Sequence, residues 1–347
     1  NKYLFDMANI RDQCSWVHAT HPQEATEKAK DLVRMAVARA VTLEPLKELS
    51  FEVKQQALVM GGGLSGIVAS LSLAQQGFSV YLIEKTDQLG GNLKDIHYTL
   101  EGVKPREYLN PLIKELEAND KITVYKNAEV MDYSGHVGNF KSTICCEGKE
   151  FELEHGVVIV ATGGTEYTPE EYHYGKSNGV ITQRELEEKI VSSDNGFKKL
   201  KEVVMIQCVG SREQPNQYCS RVCCSQAIKN ALKLKEINPE IKVSVLYRDI
   251  RSYSFKEVHY RKAREAGVNF LRYDLEAKPE VKADNGKVKV VVKDNILDSS
   301  IQLAPDYLVL SAAIRPHPEN ESLATTFKLP LTPDGFFLEA HMTLRHT

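Results

Sequence analysis

The apolar run Ala57-Leu58-Val59-Met60 feeds directly into Gly61-Gly62-Gly63-Leu64-Ser65-Gly66, and this junction constrains the fold more than any other segment. Four apolar residues closed by glycine read as a buried strand, and Ile67 to Gln76, stopped by Gly77, reads as a helix. The strand–turn–helix carries the spacing GxGxxG. Gly61 permits the tight turn, Gly63 lets backbone approach a pyrophosphate, and Gly66 lets the helix pack close to the strand. The helix N-terminus adds N–H donors and partial positive charge for phosphates. A second strand, Phe78-Ser79-Val80-Tyr81-Leu82-Ile83, ends at Glu84, placed to accept hydrogen bonds from ribose hydroxyls. The bland alternative is a glycine-rich turn with no ligand. These residues alone point to a dinucleotide without separating FAD from NAD.

The plan is then repeated. Val157-Val158-Ile159-Val160 is another buried strand, closing on Ala161-Thr162-Gly163-Gly164. From residue 201 come a strand (Val203-Val204-Met205-Ile206), a helix over 220–236 and a further strand (Val243 to Tyr247). Val288 to Val292 pairs with a neighbour, and Tyr307-Leu308-Val309-Leu310 ends on Ser311-Ala312-Ala313, an echo of the earlier small-residue turn. The expectation is an α/β protein of two tandem Rossmann-like domains with parallel sheets. The domain boundaries read as 1–50, a tail with a packing helix over 22–41; 51–168, the first nucleotide-binding domain; 169–315, the second; and 316–347, a return to the first.

Bulk properties exclude several classes. A net charge of −3 gives no electrostatic footprint for nucleic acid or an anionic membrane. No apolar run approaches the roughly 18–20 residues of a membrane helix, and Asn1-Lys2-Tyr3-Leu4 does not open a signal peptide. The chain begins without methionine and reads as a fragment. Seven cysteines, four of them within 17 residues, suit metal or redox chemistry in a reducing cytoplasm better than structural bridges.

Those four are Cys208, Cys219, Cys223 and Cys224. Where a second GxGxxG would stand, the chain has Gln207-Cys208-Val209-Gly210-Ser211-Arg212, with one glycine left and a cysteine at the strand's carboxyl end. On a helix, Cys219 and Cys223 lie one turn apart on one face, with Cys224 one step around. Four thiolates at a helix N-terminus, near Arg212 and Arg221, suit an anionic [4Fe–4S] cluster. Structural zinc and a redox disulfide are the alternatives; the usual knuckle spacings and a CxxC are absent. Cys145 and Cys146 read as buried residues of a strand, pointing to opposite faces. Cys14 is inert or ligates a cluster completed from elsewhere, and His18 reads as a packed histidine.

The combination resembles a known family. Asn9-Ile10-Arg11-Asp12-Gln13-Cys14-Ser15-Trp16-Val17-His18, Leu89-Gly90-Gly91-Asn92, Cys208-Val209-Gly210-Ser211-Arg212 and Tyr218-Cys219-Ser220-Arg221-Val222-Cys223-Cys224 are similar to the heterodisulfide reductase A-subunits. The resemblance implies a thioredoxin-reductase-like core with FAD, and a cluster where NADPH would sit. It implies FAD contacts from Glu84-Lys85, Gly91-Asn92 and Ala161-Thr162-Gly163, beside Gly61, Gly63 and Gly66. It also implies a homodimeric core within complexes of other iron–sulfur and hydrogenase- or dehydrogenase-type subunits, passing electrons to ferredoxin or a heterodisulfide, with bifurcation in some. Lys229, five residues after Cys224 on the same helix, then becomes a candidate to stabilise negative charge on reduced flavin; a solvent-facing lysine is the alternative. Family members extend beyond both ends of this chain. The rival functions are a pyridine-nucleotide disulfide oxidoreductase, which needs a second glycine fingerprint and a CxxC, and a zinc-stabilised scaffold protein. No acid–base or nucleophilic constellation stands out.

Overall fold

The computed structural model describes residues 3–47, 50–192, 196–284, 287–294 and 298–338. The chain forms two units, residues 1–52 and 53–347. In the first, a short π-helical turn (Arg11–Ser15) precedes α1 (Pro22–Val41). The proline at its first position fits a helix start, where a missing N–H costs nothing. The Cys14 thiol is buried and donates to the Ala25 carbonyl at 2.7 Å, and the ring of the half-buried His18 lies 3.1 Å from the Lys28 ammonium. No residue of α1 is buried. A unit this small holds too little apolar surface to close its own core.

In the second unit the chain runs through β1 (Gln56–Met60), α2 (Leu64–Gln75), β2 (Ser79–Ile83), α3 (Pro105–Glu117) and β3 (Ile122–Tyr125). An antiparallel excursion follows, β4 (Ala128–His136), β5 (Asn139–Cys146) and β6 (Lys149–His155), before β7 (Val157–Val160) returns. β8 (Gly164–Glu166), β9 (Val180–Thr182) and α4 (Gln183–Ser192) lead into β10 (Glu202–Val209), α5 (Cys223–Ile237), β11 (Lys242–Tyr247), α6 (Glu257–Glu265) and β12 (Val268–Arg272). A second antiparallel sheet, β13 (Glu280–Asp284), β14 (Lys287–Asp294) and β15 (Ser299–Leu303), precedes β16 (Tyr307–Ala312), β17 (Ile314–Pro316) and α7 (Asn320–Phe327).

Two parallel sheets result, ordered β3-β2-β1-β7 and β12-β11-β10-β16-β9. Each is covered by helices on one face and by an antiparallel three-stranded sheet on the other, which explains why their strands read as unbroken apolar runs. In β1, Ala57 and Val59 pack toward α2 and α3, and Leu58 and Met60 toward β4–β6. In β10, Val203 and Met205 face the helices while Val204 and Ile206 face β13–β15. No helix among the described residues is long and apolar enough to cross a membrane.

The junction of β1 and α2 is as tight as its glycines require. A Cβ on Gly66 would stand 1.9 Å from the Gly61 carbonyl oxygen, and one on Gly61, whose φ is +107°, would stand 2.4 Å from the Ala161 oxygen. Backbone cannot yield to such contacts locally. Gly66→Ala is therefore predicted to cost about 4 kcal/mol or more, the range of the most damaging single substitutions, read as loss of soluble protein or a collapsed denaturation midpoint. A near-normal midpoint would contradict the close packing.

Candidate functional site

In both parallel sheets the functional residues gather where a central strand's neighbours are reached by diverging connections, β1 between β2 and β7, and β10 between β11 and β16. Such a divergence opens a crevice at the strands' carboxyl ends.

At the first crevice, the Gly62 N–H donates to Glu84 Oε2 at 2.7 Å, and the Gly90 N–H donates to the Gly62 carbonyl at 2.8 Å. A Cβ on Gly91 would lie 3.0 Å from the Gly63 Cα. The Leu89-Gly90-Gly91-Asn92 turn is thus laid against the glycine turn. Asn92 Nδ2 donates to the Gly164 carbonyl at 2.7 Å, and the Ala161 N–H donates to the Met60 carbonyl at 2.8 Å. Thr162 Oγ1 donates to Asn320 Oδ1 at 3.4 Å, and Gly163 has φ +70° with open space where a Cβ would be.

These residues fit a dinucleotide. No side chain caps α2, so its first N–H groups remain available to an anion. Gly63 differs from its two partners: a Cβ there would meet only the Gly91 Cα, at 3.9 Å. Its lack of a side chain answers no packing need of the chain, as expected where a ligand approaches. Glu84 also accepts from the Thr86 N–H and hydroxyl, both on Oε1 at 2.8 Å, leaving Oε2 one acceptor direction for a ribose hydroxyl. Lys85 lies next in the chain. Its ammonium pairs with Glu129 at 3.0 Å and with Glu319.

At the second crevice a β-bulge interrupts the pairing of β10 with β16 between Ile206 and Val209. Cys208 there adopts φ +63°, a left-handed conformation costing a non-glycine residue about 1–2 kcal/mol. The bulge brings Cys208 to a small cavity also lined by Cys219, Cys223 and Cys224. The helical reading of Cys219 is corrected: α5 starts at Cys223, and Cys219 lies in the loop before it. Long-range bonds hold that loop, with Tyr218 donating to the Ile314 carbonyl at 2.9 Å and the Ile314 N–H to Ser220 Oγ at 2.9 Å. Arg221 takes φ +63°, and its N–H donates to Cys219 Sγ at 3.4 Å. The Arg251 N–H donates to Cys224 Sγ at 3.5 Å, and Arg212 reaches Cys208 Sγ at 3.8 Å while pairing with Asp249.

Burial, followed by the neighbouring thiols, pushes Cys223 up to about 12; burial, with Cys208, Cys219 and Asp249 adding to it, pushes Cys224 up to about 11. Bound metal would supply the charge that makes Cys223 and Cys224 thiolate ligands. The donor set suits an iron–sulfur cluster. Among the described residues, no three His, Cys, Asp or Glu side chains gather around a single ion position. Cys145 and Cys146 are half-buried on β5, which corrects their reading as buried.

Lys229 is neither solvent-facing nor uncommitted. It is buried on α5, 2.7 Å from Glu187 and donating to the Tyr98 carbonyl at 2.7 Å. Burial pulls the ammonium below the usual lysine range and Glu187 pulls the other way. Lys229 and Tyr98 line one wall of an open cavity beside residues 97–107. The sequence offered no local sign of Glu187, Tyr98 or Asp249, since each meets its partner from a distant stretch of the chain.

The thiol energetics predict an alkaline limit for the metal-free chain. A thiol with a raised folded pKa stabilises the fold below its unfolded value, near 9, and that stability is lost as pH rises toward about 12. Denaturation midpoints should fall between pH 9 and 12, and less so in Cys223→Ala. An equal fall in the variant would contradict the burial of this thiol.

Residues 55–338 match the family described as pyridine nucleotide-disulphide oxidoreductase. The chain is 33% identical to an iron-sulfur A-subunit of CoB–CoM heterodisulfide reductase from Methanopyrus kandleri, over 99% of this chain and 67% of that protein. It is 32% identical to the A-subunit of H(2):CoB-CoM heterodisulfide,ferredoxin reductase from Methanothermobacter thermautotrophicus, over 99% of this chain and 66% of the relative. The chain thus spans about two thirds of these relatives' length. The first match extends over 446 positions, about a hundred more than this chain has residues, so the relative carries additional residues within the matched span. Among solved structures, thioredoxin reductase of T. acidophilum aligns with TM-score 0.56 at 16% identity, covering 82% of this chain and 85% of that one. Thioredoxin reductase of Lactococcus lactis aligns with TM-score 0.56 at 20% identity, covering 84% and 86%. The parallel sheets, glycine turn and cysteine-lined strand end agree with these matches, and the chain belongs to the pyridine nucleotide-disulphide oxidoreductase family and, within it, to the heterodisulfide reductase A-subunits.

Proposed function

We propose that this chain is the flavin and [4Fe–4S] electron-transfer core of a multisubunit oxidoreductase. The observation that carries the reading is the replacement of a second glycine turn by four cysteines around one cavity, at the strand end where the fold otherwise takes a second dinucleotide. FAD bound at the first crevice would supply two-electron chemistry, and a cluster at the second would supply one-electron transfer.

The chain's own residues bind and tune. The α2 N-terminus and the backbone at Gly63 receive pyrophosphate, and Glu84 orients the ribose. Cys208, Cys219, Cys223 and Cys224 are the proposed cluster ligands. Arg212, whose charge Asp249 shares, and the N–H groups of Arg221 and Arg251 point at the sulfurs, the kind of contact that raises a cluster's potential. Lys229 is proposed to stand beside the flavin ring, with Glu187 balancing its charge.

The relatives' names speak of a CoB–CoM heterodisulfide and of ferredoxin. For this chain we propose an acceptor or donor of that kind, reached through iron–sulfur partner proteins within a larger complex in the cytoplasm, around a homodimeric core; bifurcation belongs to the same proposal. The reading of the chain as a disulfide oxidoreductase is disfavoured by the missing second glycine turn.

Anaerobic reconstitution with iron, sulfide and FAD tests the assignment. The expected result is about four irons with matching sulfide and one flavin per chain, with iron lost in Cys223→Ser and flavin lost in Gly63→Asp while the fold is retained. One zinc without sulfide, or unchanged flavin in Gly63→Asp, would overturn it.

A further inference from the structure

A buried side-chain network runs from the cavity at Lys229 to the residue that precedes Cys208. The Tyr98 hydroxyl donates to Asn230 Oδ1 at 2.8 Å, and Asn230 Nδ2 donates to the Gln183 carbonyl at 3.0 Å and to Gln183 Oε1 at 2.8 Å. Gln183 Nε2 and Gln207 Nε2 both donate to Ser311 Oγ, at 3.1 and 2.8 Å. Gln183, Asn230, Ser311 and Gln207 are all at most 1% exposed. Four polar side chains this deep in a sheet–helix interface answer no packing need; apolar residues would serve the core at lower cost.

The direction of each bond from Tyr98 to Ser311 is fixed. The Gln183 backbone carbonyl can only accept, which sets the Asn230 amide; that amide turns Gln183 Oε1 toward it and Gln183 Nε2 toward Ser311. One amide cannot flip without disturbing the next. Because amides join the links, the network cannot pass a proton by hopping; what it passes is position and dipole orientation. At the cavity end, the Tyr98 carbonyl accepts from Lys229, and the ammonium lies 4.9 Å from the Tyr98 ring centroid. At the other end Gln207 lies in the bulge, its carbonyl accepting from the Tyr273 hydroxyl at 3.0 Å and its Oε1 buried without a partner. The Ser311 hydroxyl can donate as well as accept, so the Gln207 amide can turn over and offer it Oε1 instead. Beside a left-handed Cys208, this freedom marks the end of the network where a shift is least opposed.

We propose that Asn230, Gln183, Ser311 and Gln207 are positioning residues that couple the Lys229–Tyr98 cavity wall to the Cys208 turn, so that a change at one end alters the redox equilibrium of the centre at the other. The proposal rests on the assignment of Cys208 as a cluster ligand. It adds that the two ends of the network do not act independently.

The test is a double-mutant cycle with Tyr98→Phe, which removes only the hydroxyl at the cavity end, and Ser311→Ala, which removes the central acceptor. Each reconstituted protein is assayed for iron and sulfide, melted, and titrated for the reduction equilibrium of the cluster by electron paramagnetic resonance. Four irons per chain retained in every variant keeps the underlying assignment intact. The proposal then expects each single variant to shift the reduction equilibrium several-fold, with a tenfold change corresponding to 59 mV for one electron. It expects the double variant to shift it no further than Ser311→Ala alone, as for residues in one chain. Unchanged equilibria, or strictly additive shifts, would overturn the coupling. Lowered melting temperatures with unmoved equilibria would show a structural network and likewise overturn it. Should Ser311→Ala fail to fold, Gln183→Met takes its place in the same cycle. Loss of iron in wild type would instead remove the underlying assignment, a result separable from the others.

Discussion

A parallel strand flanked by neighbours on diverging connections leaves a gap at its carboxyl end, and this molecule places its chemistry in two such gaps. At the first, backbone must come close to a ligand, and three glycines do three separate jobs: Gly61 and Gly66 remove Cβ atoms that would strike backbone, while Gly63 opens onto space. At the second, the same topology carries a bulge and a left-handed cysteine in place of the glycine turn. One scaffold geometry thus receives two chemistries, and the residues lining each gap decide which.

Electrostatics separate the two gaps further. The first offers helix N–H groups and one carboxylate, a setting for phosphates and ribose. The second gathers four cysteines, burial raising Cys223 and Cys224 above the usual thiol range, with Arg212, Arg221 and Arg251 at its rim. At those two cysteines, cation binding and thiol deprotonation become one event. Between the gaps, Lys229 and Glu187 are buried as a pair, 6% and 2% exposed at the side chains. Breaking such a pair from one side costs about 3–5 kcal/mol, which ties α4 to α5 beside the cavity.

Much of the fold was legible in the residues because the relevant signals are local. The strand–glycine–helix at 57–76, the unbroken apolar runs of β1 and β10 and the echo of Ala161-Thr162-Gly163 in Ser311-Ala312-Ala313 each mark an element within a few residues. The family-specific cysteine block pointed to the second gap. What escaped depends on distant partners. The spacing of Cys219 from Cys223 permits one helical turn, yet bonds from Tyr218 and Ser220 to β17 hold the loop out of the helix. Lys85 pairs with Glu129 and Glu319, and Lys229 with Glu187, none of which is near in sequence. The buried Gln183–Ser311–Gln207 bridge joins three elements far apart along the chain and leaves no pattern in any one of them.

The central claim is that the strand end of β10 holds an iron–sulfur cluster where a second dinucleotide would otherwise bind. An anomalous difference map at the iron absorption edge, from crystals of the anaerobically reconstituted chain, tests it most directly. The account predicts one compact four-iron peak bounded by the sulfurs of Cys208, Cys219, Cys223 and Cys224. A single peak at the zinc edge there, or iron density elsewhere with the four thiols bare, would contradict it.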